Sequence, residues 1–148
     1  FFMIRRPQRS TLCASSEASD VYMRLEWTRV CGIIEPGERP DEAIVREIHE
    51  ETGIVAELVQ LVRVNVTAPV TYPNGDRCQF LDHDFLCRWV SGEPIVGDDG
   101  SSHTGFFGTD QLPPMAPRHR RCIEIALNPA DTVIMSSDIA TPALQETR

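Results

Sequence analysis

The segment GIIEPGERPDEAIVREIHEETGI, residues 32–54, restricts the fold of this chain more than any other stretch. Gly37 marks a turn, and Pro40, Asp41 and Glu42 then supply helix-start chemistry: a preset φ, and acids facing the positive end of the helix dipole. A helix is predicted from about Pro40 to Thr52, with Gly53 as its stop. Ile44, Val45 and Ile48 share a face that belongs to the core. Glu47, Glu50 and Glu51 fall together on another face, where each like-charged pair costs about 0.2–0.5 kcal/mol. Acids crowded on a helix are ordinarily a solvated face. Here they adjoin apolar Ile48 and Ile54, and they follow a loop, "EPGE", whose Glu38 can fold over the same surface.

Around this segment the chain alternates strand and turn signals. "FFMIRR" (1–6) is strand-like, 7–20 is small and polar and reads as a loop, and "VYMRL" (21–25) is a weak strand. Residues 27–34 are extended. In 61–67, Val62, Val64 and Val66 alternate with Arg63, Asn65 and Thr67, the period of a strand. Asn74-Gly75 within "YPNGD" signals a hairpin turn, so 77–90 is its returning strand. Residues 91–105 read as a glycine-rich acidic loop. A final helix is expected over 118–127, with Ile123 and Leu127 at i, i+4. Little order is expected in 128–148 beyond the apolar patch "TVIM" (132–135). These elements predict one domain over 1–127 plus a tail, in a mixed α/β (α+β) fold with helices on a mixed sheet. The strand-like start without an initiator Met reads as a chain that lacks its first strand.

Bulk properties narrow the function. With 148 residues the chain suffices for a single core. Its 14 basic and 22 acidic residues leave a net charge of −8, unfavourable for non-specific nucleic-acid binding, which depends on neutralising phosphates. Five cysteines, with no CxxC and no metal-type Cys/His spacing, read as reduced thiols of a cytoplasmic protein. No apolar run reaches membrane-spanning length.

Three carboxylates that converge suit a hard divalent cation, Mg²⁺ or Mn²⁺, which takes oxygen ligands and holds phosphates. Arg46 adds a guanidinium that can hold Glu38 or Glu47 bidentately, or reach a phosphate. Gly32, Glu38 and the run Arg46-Glu47-Ile48-His49-Glu50-Glu51-Thr52-Gly53-Ile54 match every fixed position of the Nudix box. A chance match at a given start is rarer than roughly one in 10⁸ at ordinary residue frequencies. The likeness extends over about 1–6 and 27–127, and the chain resembles the Nudix hydrolase superfamily.

That resemblance implies an α/β/α sandwich and the hydrolysis, by water attack at phosphorus, of a nucleoside diphosphate linked to another moiety. It implies a small-molecule nucleotide diphosphate as partner, no nucleic acid, no membrane, and a monomer or homodimer. Glu50 and Glu51 align with the metal-binding pair, Glu47 with a glutamate that is ligand or general base, and Arg46 with the arginine that orients them. The backbone carbonyl of Cys31 aligns with a further metal ligand. Catalytic roles are thus expected at Glu47, Arg46 and Glu50, and metal binding at Glu47, Glu50, Glu51 and Cys31. The chain departs from many relatives where Val30-Cys31-Gly32 replaces Pro-Gly-Gly, and where Gly100 stands for a glutamate; Asp98 and Asp99 are the candidate substitutes, and if neither serves, metal binding is expected to outlast turnover.

Pro69 and Tyr72 lie at spacings found in ADP-ribose-cleaving and dinucleoside-polyphosphate-cleaving relatives respectively, and having both weakens each. Trp27, Tyr72 and Phe80 are candidates for stacking on a base, although strand aromatics are more often core. His49 and His83 read as exposed or structural, and His103 and His119 carry no signal. Two rival functions share the fold. One is a nucleotide-binding or regulatory module with weak turnover, favoured by the departures just named. The other is an isoprenoid-diphosphate isomerase, for which neither Cys31 nor Cys78 has the expected surroundings.

Overall fold

The computed structural model describes residues 2–7, 27–96 and 101–139; for 2–7, 101 and 102 only the backbone is described. The weak strand expected at 21–25, the loop over 8–20, and Asp98, Asp99 and Gly100 lie outside the described residues.

Among the described residues, two three-stranded sheets and two helices build a mixed α/β fold. In the first sheet, β1 (Phe2–Pro7) lies between β2 (Thr28–Arg29) and β7 (Ser101–Phe107), antiparallel to both. In the second, β3 (Val55–Val66) lies between β6 (Leu81–Ser91), antiparallel, and β8 (Ile134–Ser137), parallel, so this sheet is mixed. A small hairpin of β4 (Val70–Thr71) and β5 (Arg77–Cys78) turns at Asn74-Gly75, where Gly75 has φ 92° and the Tyr72 N–H donates to the Asp76 carbonyl. Helices α1 (Pro40–Thr52) and α2 (Pro117–Leu127) complete the fold.

Helix α1 has the predicted ends. Pro40 opens it, the Arg39 N–H donates to Glu42 Oε2 at 3.2 Å, and Gly53 closes it in the left-handed conformation at φ 71°, its N–H donating to the His49 carbonyl. Ile48 is buried with Val30, Ile54 and Ala56, and Ile44 and Cys87 pack against that core. Val45 is only half-buried, and Ala43 takes the interior position instead. In α2, Cys122 and Ile123 are buried, while Leu127 is exposed.

The strands differ from expectation in several places. The returning strand expected over 77–90 is divided: β5 pairs with β4 in the hairpin, whereas β6 pairs with β3. Of the extended run 27–34, only Thr28–Arg29 forms a strand. Strand β3 begins at Val55, six residues before the alternating stretch, because its first half pairs with the end of β6. Part of the expected acidic loop is β7, which gains its order by pairing with β1 rather than from local propensity. The supposed tail contributes β8: Ser136 Oγ donates to Asn65 Oδ1 at 2.7 Å, and the Asp138 N–H donates to the Val66 carbonyl. Alternation in β3 also does not sort buried from exposed. Arg63, Asn65 and Thr67 are buried along with Val62.

No disulfide joins Cys31, Cys78, Cys87 or Cys122, and burial pushes the Cys87 thiol up to about 11. No helix among the described residues is long and apolar enough to cross a membrane.

Candidate functional site

Arg46 organises the acidic face of α1. Its Nε and Nη2 grip both oxygens of Glu38 at 2.8 and 2.9 Å. Its Nη1 donates to Glu47 Oε1 and Glu50 Oε2, each at 3.0 Å, and Nη2 also reaches the Ile33 carbonyl at 3.1 Å. All five N–H donors of this guanidinium are therefore used. Glu38 accepts in addition from the Glu35 N–H at 3.0 Å, which ties the loop to the helix. The Arg46 hydrogen bonds, with the Glu35 N–H behind them, hold the Glu38 carboxyl down at about 2, and the same contacts raise the Arg46 pKa.

The crowding of acids is thus relieved by a guanidinium, and the three box glutamates do not close on one point. Glu47 and Glu50 converge on Arg46 Nη1, Glu50 being exposed, whereas Glu51 is buried. No group of three or more His, Cys, Asp or Glu side chains among the described residues is set to hold a metal ion. Donor chemistry nonetheless fits a hard divalent cation: Arg46 occupies one oxygen of Glu47 and one of Glu50, leaving a second carboxylate oxygen on each. Gly32 matters here because a Cβ at that position would fall inside the Glu47 carboxyl group.

Glu47, Gly32 and Cys31 stand at one wall of a cavity of about 640 Å³ that runs between α1, the second sheet and α2. Beside it lies a charged knot that the sequence reading missed, of which Arg29, Arg63 and Cys122 line the cavity. Arg63 on β3 is the register partner of Asp84 on β6, and its Nε donates to Asp84 Oδ2 at 2.5 Å. Arg29 on β2 places Nη2 3.0 Å from Asp84 Oδ1, an ion pair rather than a directed hydrogen bond, since that oxygen accepts none among the described residues. Arg63 Nη2 also donates to Cys122 Sγ at 2.9 Å. Burial pulls the Arg29 pKa downward, but Asp84, with Cys122, Cys31 and Asp82 behind it, outweighs that and raises it. Burial raises the Asp82 carboxyl. A charged residue on each of two strands that pair was the available signal, but only the register shows that they meet.

Of the other sequence candidates, Pro69, Phe80 and His83 line this cavity, as does buried His119, which had carried no signal. Trp27 packs edge-on against Phe107 at 4.9 Å, Tyr72 belongs to the hairpin turn, and His49 is exposed. Arg46, Glu47 and Glu50 are brought together; Cys31 and Glu47 line the same cavity.

The profile of the NUDIX domain matches residues 2–124, and the chain belongs to the Nudix family. It is 34% identical over 93 residues to an ADP-ribose pyrophosphatase of Methanocaldococcus jannaschii, covering 63% of this chain and 52% of that protein. It is 34% identical over 93 residues to the NAD-capped RNA hydrolase NudC of Vibrio cholerae, covering 62% of this chain and 31% of that one. The chain thus spans about half or less of the curated relatives it matches here. Its fold resembles an ADP-ribose pyrophosphatase of Streptococcus suis, with a TM-score of 0.60 at 16% identity, covering 92% of this chain and 88% of the other. It also resembles a MutT protein of Methanosarcina mazei, with a TM-score of 0.62 at 14% identity and coverage of 84% and 80%.

Proposed function

We propose that this protein is a Nudix pyrophosphohydrolase: it hydrolyses the phosphoric anhydride of a nucleoside diphosphate linked to another moiety, using Mg²⁺ or Mn²⁺. The observation that carries this reading is that α1 presents Glu47 and Glu50 together on Arg46 Nη1, with Glu47 at the wall of a cavity large enough for a nucleotide. Glu50 and Glu51, with the Cys31 carbonyl and with Glu47 as ligand or base, would hold a cation that would supply charge neutralisation at phosphorus and lower the pKa of a water. Arg46 fixes the carboxylates in advance through donors that are all engaged, so little reorganisation is left for the reaction itself. The oxygen of Glu47 that Arg46 leaves open would serve either as a further ligand or as the base that takes the proton of the attacking water. ADP-ribose, the substrate named for one relative, supports a small nucleotide diphosphate. The expectation of no nucleic-acid partner is narrowed by the NudC relatives, whose named substrate is NAD-capped RNA, so a capped 5′ end belongs in the substrate screen.

A second reading, a nucleotide-binding module of weak turnover, is favoured by the failure of three acids to close into one cluster among the described residues. One experiment separates the two. Nucleotide diphosphates and a capped RNA are screened with Mg²⁺ and Mn²⁺, using wild type beside Glu50→Gln and Glu51→Gln. Cleavage by wild type, reduced about 100-fold or more in each variant with circular dichroism unchanged, is expected. Binding without phosphate release from any substrate moves the chain to the module.

A further inference from the structure

Arg29 and Arg46 are both paired arginines, yet they are used differently. Arg46 has every donor engaged. Arg29 meets Asp84 through Nη2, its buried Nε has no hydrogen-bond partner among the described residues, and a quarter of its side chain stays accessible where it lines the cavity. Arg63 shares the same carboxylate, so two guanidinium groups stand on one buried anion and a positive charge is left over. Leaving a buried charge uncompensated is costly, and a counter-ion supplied from the cavity offsets it.

The surroundings gather further basic side chains at the same cavity. Four arginines line the cavity, Arg29 and Arg63 from the strands and Arg118 and Arg121 from α2, against the carboxylates of Glu47, Asp82 and Asp138. Glu47 is already held by Arg46. Such a lining is unexpected in a chain with a net charge of −8. Arg29 stands three residues before Gly32, so at most about 10 Å of extended chain separates it from the glycine that underlies Glu47. A sugar ring with its substituents covers that distance.

We infer that Arg29, backed by Arg63, is an oxyanion subsite that selects substrates whose sugar, next to the scissile diphosphate, carries an additional phosphate or carboxylate. The inference deepens the hydrolase reading and rests on it for the position of the diphosphate. The subsite is neither the metal face nor the box: its side chains come from β2 and β3, and both are anchored on Asp84 of β6.

Matched pairs test it: ADP-ribose against its 2′-phosphate, and UDP-glucose against UDP-glucuronate, each by steady-state kinetics and by calorimetry without cleavage. Wild type is expected to prefer the anionic member of at least one pair by about tenfold or more in kcat/KM, through KM; which pair responds tells phosphate from carboxylate. Arg29→Gln should lower kcat/KM for that anionic member about tenfold more than for its uncharged partner, and Arg29→Lys should restore part of the difference. Equal treatment of both members by wild type, or an equal loss for both in Arg29→Gln, overturns the subsite and leaves Arg29 a structural ion pair. Should Arg29→Gln not fold, Arg29→Lys carries the kinetic comparison, and the wild-type preference stands as the criterion. Tighter calorimetric binding of the anionic member without any cleavage would sink the hydrolase reading alone; equal binding of both would sink the subsite.

Discussion

Gly32 is required for what it leaves out. The space of its missing Cβ is filled by the Glu47 carboxyl, the far end of a flexible side chain. Gly32→Ala should therefore leave the fold intact and move Glu47. Stability in urea is expected to change by less than about 1 kcal/mol, while kcat falls about 100-fold, the cost of a displacement of an ångström or so at a reacting centre. Arg46 makes the complementary point. Its identity was legible in the box, but its use of all five donors on Glu38, Glu47, Glu50 and Ile33 is a property of the folded loop. Arg29 was not legible at all, because an arginine in a short extended run has no periodicity that distinguishes a buried one from an exposed one.

Helix α1 and its preceding loop form the element on which the site depends, and two of its features are testable. Glu38 is held at about 2 against an ordinary 4.5 by Arg46 and by the Glu35 N–H. A lowered carboxylate pKa contributes stability above the unfolded value and loses it as the pH falls. The loop over 33–38 should accordingly stay fixed above about pH 4.5 and loosen between there and about pH 2, seen by NMR titration of Glu38 and by amide exchange of the loop. Arg46→Gln should return the Glu38 midpoint toward 4.5. At the other end, Gly53 has φ 71° and faces Ile95, whose Cγ1 would lie 2.6 Å from an added Cβ. Gly53→Ala is expected to cost about 1–2 kcal/mol in urea unfolding, since a left-handed alanine is strained and Ile95 must shift.

At the scale of the molecule, Asp84 links pieces that no local signal connects. It takes Arg29 from the first sheet and Arg63 from the second, with Cys122 of α2 touching both Asp84 and Arg63. Asp84→Ala leaves two guanidinium groups inside without their carboxylate. A loss of about 3–5 kcal/mol is expected, measured as a lowered urea midpoint at unchanged slope. The same scale decides which parts of the chain are ordered. Strand β7 lies in a glycine-rich acidic stretch, and β8 lies in what reads as a tail; each exists because a partner strand is presented to it.

What the sequence by itself determined is local: the bounds of α1, the hairpin at Asn74-Gly75, and the conjunction of Gly32, Glu38, Arg46, Glu47, Glu50 and Glu51 that places the chain in its family. Those features rest on capping, turn geometry and fixed spacing along one helix, so near neighbours in the chain suffice to specify them. Only the tertiary structure decided that Glu47 and Glu50 meet at a guanidinium, that Glu51 is buried, and that Arg29 and Arg63, both lining the cavity, meet on Asp84. Strand register and the charge balance of a buried space depend on residues far apart in the chain. A one-residue shift would send Arg63 away from Asp84 without altering any local preference.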